Sequence, residues 1–264
     1  MPRVGQHARA GLAPPGRLAV EVAGRTLGGA LACVAWARRG KAVHPRGAVH
    51  RARLVVDGAP HAPPSSRLLA TPTEHEALVR FSRSLGLPRP LPDLLGMSLR
   101  VLDAYGRGRH QDFLLVSSID LPVLHHLFVP ASDVQQRVYS SSLPYRCGDA
   151  TFLVGALPDP GSPRPAGDDE LDRLARAAAT GELAFGLAVA RVGGRFRRVA
   201  TIRVGERLPE ALDAMRFNPF NCGGGLWPIG VLNRLRDYAY PLSQRSWTAR
   251  RRTGRRARGR AEPA

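Results

Sequence analysis

Short segments with the pattern of β-strands run through the middle of this chain, and they constrain its fold more than any other feature. In AVHRARLVVDG (48–58), Val49, Leu54 and Val56 stand among polar neighbours, as expected of a strand with one face in water. Prolines or glycines bracket most of these segments, which is typical of strands joined by turns. The other predicted strands are LVRFSRS (78–84), SLRVLD (98–103), DFLLVSS (112–118) and ATFLVGALP (150–158).

Helical patterns are fewer than strand patterns. A turn-rich interruption, PDPGSPRPAGDDE (158–170), ends in acids suited to a helix N-terminus, and ELDRLARAAATGE (170–182) follows it as a predicted helix. Two more helices are predicted, one from about Leu18 to Arg39 and one over PIGVLNRLRDYAY (228–240). These helices flank or interrupt the strands and do not alternate with them.

The remaining patterns complete the fold class. A hairpin is predicted over residues 183–205 around Gly193-Gly194, and FNPFNCGGG (217–225) is predicted to be a loop. Many strands and three helices, without a strict alternation of strand and helix, favour the α+β class. The sequence therefore predicts an antiparallel barrel or sheet with flanking helices.

Periodicity and charge divide the chain into three parts. Residues 1–16 lack periodicity and are predicted to be loose, and residues 17–247 are predicted to form a single domain. Residues 248–264 hold seven arginines and one glutamate and are predicted to be a disordered tail. The formal net charge is +18, but Lys41 is the only lysine, so the excess is a bias towards arginine throughout the chain. No specific nucleic acid is therefore predicted as a partner, although the tail is expected to attract polyanions weakly.

Cysteine usage and hydropathy predict a cytoplasmic protein without a membrane span. The three cysteines are too few and too scattered for a disulfide framework or a cysteine-based zinc site. The most apolar N-terminal stretch, TLGGALACVAW (26–36), reaches only about half the length of a membrane-spanning helix, roughly 20 residues. No small-residue cleavage site follows it before ARRGK, so it is predicted to be a buried helix and not a signal peptide.

Arginine and tyrosine recur at helical spacing near the C-terminal end, in RDYAYPLSQR (236–245). Arg236 and Tyr240 are four residues apart, which places them on one face of a helix. An arginine near a phenol favours the ionised phenolate, and a phenolate is a hard ligand for ferric iron. Tyr238 has an arginine at the same distance, Arg234, so it is the second candidate. The same pattern also fits an amphipathic helix that carries aromatic residues of the core.

Two further segments carry side chains suited to cofactor chemistry. In GKAVHPRG (40–47), His44 lies between a predicted helix and a predicted strand. In VRFSRS (79–84), a strand would point Arg80 and Ser82 to one face and Phe81 to the other. A serine can hydrogen-bond an imidazole nitrogen and fix its tautomer, and a buried arginine needs an anion such as a cofactor carboxylate. Taken singly, each of these residues also fits a structural role.

Taken in order, these segments resemble the haem-dependent catalase family. KAVHPRG (41–47) is similar to the family's distal-histidine motif, and Arg80, Phe81 and Ser82 are similar to its RFS strand. Arg236, Tyr240, Pro241 and Arg245 reproduce the spacing of its proximal RxxxYPxxxR motif, and the last two of these favour Tyr240 over Tyr238. Between these motifs, DLLGMSLRV (93–101) and QDFLLVSS (111–118) occupy the places of two further family segments. The resemblance covers roughly residues 35–130 and 210–247 and is thinner between them.

The resemblance implies an α+β fold with a catalase-like antiparallel β-barrel core and flanking helices, without the family's C-terminal helical domain. It implies haem as the cofactor, Tyr240 as the axial metal ligand, and His44 as the distal acid and base held by Ser82. The family's catalytic asparagine has no counterpart, and Ser117 or Ser118 falls nearest to its place. Lys41 replaces an arginine that binds a haem propionate, which loses bidentate recognition of a carboxylate. The residues expected to contact the cofactor are Lys41, Val43, Arg80, Arg236, Tyr240 and Arg245.

These features lead to three functional hypotheses. The first is hydroperoxide chemistry, either peroxidase-like or weakly catalatic, with hydrogen peroxide or an organic hydroperoxide as the small-molecule partner. The second is a haem-binding or sensing protein without turnover, and the third is a degenerate catalase-fold structural protein without a cofactor. His125 and His126 have no acidic partner at metal-ligand spacing, so a structural or pocket-wall role is expected for them.

Overall fold

Antiparallel strands are the main secondary structure in this computed structural model, which describes residues 46–87, 91–191 and 193–229. Successive strands are joined by turns and by longer connections, which include 57–72, 84–94, 119–137, 159–183 and 208–226. The strands are β1 (Arg46–Val56), β2 (Thr73–Arg83), β3 (Leu95–Val101), β4 (Gln111–Ser118), β5 (Val138–Ser140), β6 (Tyr145–Cys147), β7 (Ala150–Pro158), β8 (Ala184–Arg191), β9 (Arg197–Arg207) and β10 (Trp227–Pro228).

Eight of these strands close into a barrel. They are hydrogen-bonded in the order β7-β5-β4-β3-β2-β1-β9-β8, and β8 pairs with β7 to complete the ring. All of these pairings are antiparallel. The short strand β6 adds to the edge of β7 beside β5, and β10 pairs with β6. The antiparallel barrel expected from the sequence is thereby confirmed.

The barrel interior is filled by alternate side chains of its strands. Phe81 of β2 lies 5.4 Å from Phe185 of β8, and Tyr139 of β5 lies 6.4 Å from the same ring, measured between ring centroids. These three strands are not neighbours in the sheet, so the rings meet only because each points inward. All three residues are fully buried, and they form part of the main hydrophobic cluster. The residues between them on each strand therefore face outward.

One α-helix, α1 (Glu170–Ala179), lies among the described residues. Its N-cap is Asp169, whose carboxylate accepts the backbone N–H of Leu171 and of Asp172. The helix ends three residues before the predicted limit, and Gly181 follows with a φ of 78°. No helix in the described part of the chain is long and apolar enough to cross a membrane.

The sequence patterns identified every long strand and missed the three shortest, β5, β6 and β10. A segment of two or three residues is too short to show a period of two, which explains the omission. The helix predicted over 228–240 does not begin at Pro228, because that residue pairs with Tyr145 in β10. The rest of that helix, the helix predicted at 18–39, the N-terminal segment 1–16 and the tail 248–264 lie outside the described residues.

Candidate cofactor site

Arg80 and Ser82 lie on the outer face of the barrel, side by side on β2, while Phe81 between them points inward. This is the arrangement that the period of a strand predicts. Both side chains are buried although they face away from the barrel interior, with Arg80 4% and Ser82 1% exposed. A buried guanidinium and a buried hydroxyl therefore share one face of one strand.

The Arg80 guanidinium is held by the segment that follows β9. Its Nε donates to the backbone carbonyl of Asp213, at 3.2 Å, in the short 3₁₀ helix Glu210–Ala214. The Asp213 carboxylate accepts the backbone N–H of Val49 at 3.1 Å, which ties this segment to β1. Burial lowers the pKa of Arg80, and the charge of Asp213 opposes that shift. An arginine remains charged in proteins, and a nearby anion such as the Asp213 carboxylate stabilises a guanidinium that is buried.

Three of the four residues that pair with Arg80 and Ser82 on the neighbouring strands are glycine or serine, and the fourth is Val49. A Cβ atom at Gly47 would lie 2.5 Å from the carbonyl oxygen of Phe81 and 2.6 Å from Nη2 of Arg80, so the guanidinium rests directly on the β1 backbone. On the other side, Ser98 pairs with Arg80 and Gly96 pairs with Ser82 in β3. The donor set of one cation and one hydroxyl, beside these mainly small paired residues, fits a flat cofactor that carries carboxylates.

The two serines of β4 take part in hydrogen bonds with the β4–β5 loop, defined as residues 119–137. The hydroxyl of Ser117 accepts the N–H of Leu95 and donates to the carbonyl of Val129, at 3.0 and 2.6 Å. The hydroxyl of Ser118 lies 3.1 and 2.8 Å from the carbonyls of His125 and Leu127. Ser118 is two residues beyond Val116, which pairs with Gly96, so it shares the outer face with Ser82, whereas Ser117 faces the interior side.

A buried ion pair fastens the loop that sequence patterns predicted at 217–225. Arg100 and Asp112 form two hydrogen bonds, and Asp112 also accepts the N–H of Asn218 at 2.8 Å. The Arg100 guanidinium lies 5.1 Å from the ring centre of Phe217. Neither Asp112 nor Asp213 stood out as a functional residue in the sequence, because both act through contacts with residues distant along the chain.

The other predicted site residues lie outside the described part of the chain. They include the predicted metal ligand and its competitor, so their predicted roles stay predictions. Within residues 46–87, 91–191 and 193–229, no group of three or more His, Cys, Asp or Glu is placed to hold a metal ion. The undescribed site residues are Lys41, Val43, His44, Arg234, Arg236, Tyr238, Tyr240 and Arg245.

Comparison with solved structures identifies the fold. A fungal catalase superposes with a TM-score of 0.60 at 13% sequence identity, over 77% of this chain and 58% of that one. A bacterial catalase gives a TM-score of 0.53 at 11% identity, over 77% of this chain and 56% of its own. Catalase A from Saccharomyces cerevisiae gives 0.54 at 9% identity, over 77% and 60% of the two chains.

These similarities define a catalase-like fold. The sequence identities of 9–13% are too low to carry activity or cofactor from those proteins to this chain. The chain also spans less than two thirds of the length of each catalase that it matches. No family model matches the sequence, and no curated protein matches it.

Proposed function

We propose that this protein binds haem and reacts with hydrogen peroxide or an organic hydroperoxide, as a peroxidase-like enzyme or a weak catalase. The observation that carries the proposal is the buried pair of Arg80 and Ser82 on the outer face of a catalase-like barrel, where most of the residues paired with them are small. A guanidinium can bind a carboxylate through two parallel hydrogen bonds, and haem carries two carboxylates.

Several residues of this chain would hold the cofactor. Arg80 and Lys41 would bind its carboxylates, Arg80 through its planar guanidinium and Lys41 through a single charged amine. Tyr240 would provide a phenolate ligand for the iron, and Arg236, four residues earlier in the sequence, would keep the phenol ionised. Haem, when bound, supplies a redox-active ferric iron.

Proton transfer is assigned to His44. A hydroperoxide must lose the proton on one oxygen and gain a proton on the other as the bond between them breaks. An imidazole can make both transfers, which is general acid and base catalysis worth about 10²–10⁴-fold. Ser82 positions that ring, because a serine that donates to a carbonyl, here that of Gly96 at 3.4 Å, can accept an imidazole N–H.

Slow turnover of hydrogen peroxide follows from the hydrogen bonds of Ser117 and Ser118. These serines stand nearest to the place of the family's catalytic asparagine, and their hydroxyls donate to backbone carbonyls. Losing one preorganised donor in an active site costs about 10²–10³-fold in rate. An organic hydroperoxide or a reducing co-substrate is therefore expected to compete well with hydrogen peroxide.

Expression of the full chain with a haem precursor tests the proposal. We expect an absorption spectrum of phenolate-ligated ferric haem that Tyr240→Phe abolishes and the matched variant Tyr238→Phe retains. We expect hydroperoxide consumption to fall in His44→Ala, while haem content stays unchanged. Purified protein without haem would contradict the proposal, and a haem protein whose peroxide reactivity ignores His44 would favour the non-catalytic, sensing alternative.

A further inference from the structure

The β4–β5 loop buries a polar side chain and exposes several large apolar side chains. His125 at its centre is 2% exposed and faces the protein, whereas the apolar residues around it face away. The ring of His125 lies 2.9 Å from a carboxylate oxygen of Asp120 and packs against the ring of Phe196, with 4.5 Å between centroids. If only water surrounded this loop, the opposite orientation, with His125 exposed and the apolar side chains buried, would be more stable. Burying apolar groups is favourable, whereas an imidazole is well solvated by water.

Specific hydrogen bonds hold the loop in this orientation. Ser118 bonds the carbonyls of His125 and Leu127, and the ring of His126 bonds the carbonyl of Ser142. Asp120 also accepts the backbone N–H of Phe196 at 3.0 Å, so its charge is satisfied within the protein. The outward display of apolar residues is therefore built into the fold.

Five apolar residues between positions 121 and 128 of the loop form the outward surface, which we call the apolar patch. Val123 has a φ of 70°, a conformation that is rare for a β-branched residue, and its side chain is the most exposed of the five. An exposed cluster of large apolar side chains typically marks a surface that binds a protein or a membrane. The patch consists of Leu121 (36% exposed), Val123 (68%), Leu124 (41%), Leu127 (52%) and Phe128 (57%).

The positive charge of the protein favours an anionic partner over a second copy of the same chain. The chain carries a formal net charge of +18, so two copies repel each other and an anionic surface attracts them. Exposed arginines lie at both ends of the loop: Arg137 is its last residue, and Arg195 donates to the backbone carbonyl of Asp120 near its start at 3.0 Å. Outward aliphatic and phenyl groups beside arginines are the combination that binds the interface of an anionic bilayer.

We infer that the β4–β5 loop docks this protein on anionic lipid bilayers, with the apolar patch inserted into the headgroup region and the flanking arginines at the lipid phosphates. Insertion buries the apolar patch without requiring a membrane-spanning helix. The inference goes beyond the proposed haem binding, because it rests on the exposed side chains of this loop.

Sedimentation with vesicles and tryptophan fluorescence test the inference on the full chain. The vesicles contain phosphatidylcholine with about a third phosphatidylglycerol, or phosphatidylcholine alone, because the surface charge must be varied separately from the apolar phase. The variant Leu127→Ser/Phe128→Ser should bind the anionic vesicles at least about tenfold more weakly than the wild type, since two exposed apolar side chains are removed. Leu212→Ser is the matched control, because Leu212 is exposed but lies on the segment packed against β1.

Insertion has its own readout in Phe128→Trp. The fluorescence of this tryptophan should shift to the blue on anionic vesicles and be quenched by brominated lipid, while that of Leu212→Trp should not. Unchanged vesicle binding by the serine variant, or an unquenched Trp at position 128, would show that charge alone attracts the protein and would overturn the inference. A wild-type dimer that dissociates in the serine variant would overturn it as well, because a second copy would then cover the patch. Circular dichroism checks that each variant is folded.

Discussion

Arg100 and Asp112 face each other across β3 and β4 and form a two-bond ion pair, with Nε and Oδ1 2.7 Å apart and Nη2 and Oδ2 2.6 Å apart. The carboxylate is fully buried, and the guanidinium also donates to the carbonyl of Arg216 at 2.6 Å. Asp112 is thus one of the points at which the segment after β9 is attached to the outer face of the barrel. The attachment matters for the proposed site, because Asp213 in the same segment holds Arg80.

Substituting Asp112→Asn should lower the free energy of unfolding by about 3 kcal/mol, because it leaves a largely buried arginine without its counter-charge. Urea unfolding of the full chain measures the change. Glu206→Gln is the control, since Glu206 pairs with Arg51 in an exposed ion pair that should contribute no more than about 1 kcal/mol. Equal effects of the two substitutions would contradict the view that burial makes the Arg100–Asp112 pair important.

Substituting Arg80→Gln should weaken haem binding by about tenfold to a hundredfold, the usual range for a hydrogen bond to a charged group. Titration of the haem-free protein with haemin, followed by absorbance, measures the affinity. Arg51→Gln removes the same charge from an exposed arginine of β1 and should leave the affinity unchanged. A similar loss in both variants would mean that net charge, and not the position of Arg80, attracts the cofactor.

Substituting Gly47→Ala should destabilise the protein by about 1–3 kcal/mol, the usual cost of forcing an extra carbon into a packed site. The new Cβ would lie 2.5 Å from a backbone oxygen of β2, which cannot move without displacing the strand, and 2.7 Å from Cζ of Arg80. Gly205→Ala on β9 is the matched control, because its Cβ would meet only the carbonyl of Arg51 at 3.7 Å. Thermal unfolding of the two variants should differ clearly, and a stable Gly47→Ala protein with unchanged haem affinity would show that Arg80 need not rest on β1.

The period of the sequence was enough to predict the long strands and the faces to which their side chains point. The opposite faces of Phe81 and its neighbours Arg80 and Ser82 follow from the period of a strand, and the long strands were identified in the same way. The helix start at Asp169 likewise follows from its capping carboxylate.

Contacts between distant residues could not be predicted, because the local pattern of a single sequence does not determine which distant segments pair. Asp213 is 133 residues from Arg80 along the chain. The pairing of β7 with β8, which closes the barrel, cannot be inferred from the sequence of either strand. His125 illustrates a second limit. Its acidic partner Asp120 lies five residues earlier, a spacing that belongs to no helix, strand or metal-ligand motif, so no pattern in the sequence indicated this contact.

The free energy of unfolding should decrease as the pH falls below about 6.5, the ordinary pKa of histidine, because His50 is buried in its neutral form. Its Nδ1–H donates to the carbonyl of Gly205 at 3.0 Å, and its Nε2 is buried without a hydrogen-bond partner. Burial lowers the pKa of His50 more than that carbonyl raises it, so the unfolded chain takes up the proton first and gains stability relative to the folded protein. Each histidine of this kind contributes up to about 1.4 kcal/mol per pH unit between its two pKa values. Urea unfolding at about pH 7.5 and about pH 5 should therefore show a smaller loss for His50→Leu than for the wild type, and equal losses would mean that His50 is not kept neutral by the fold.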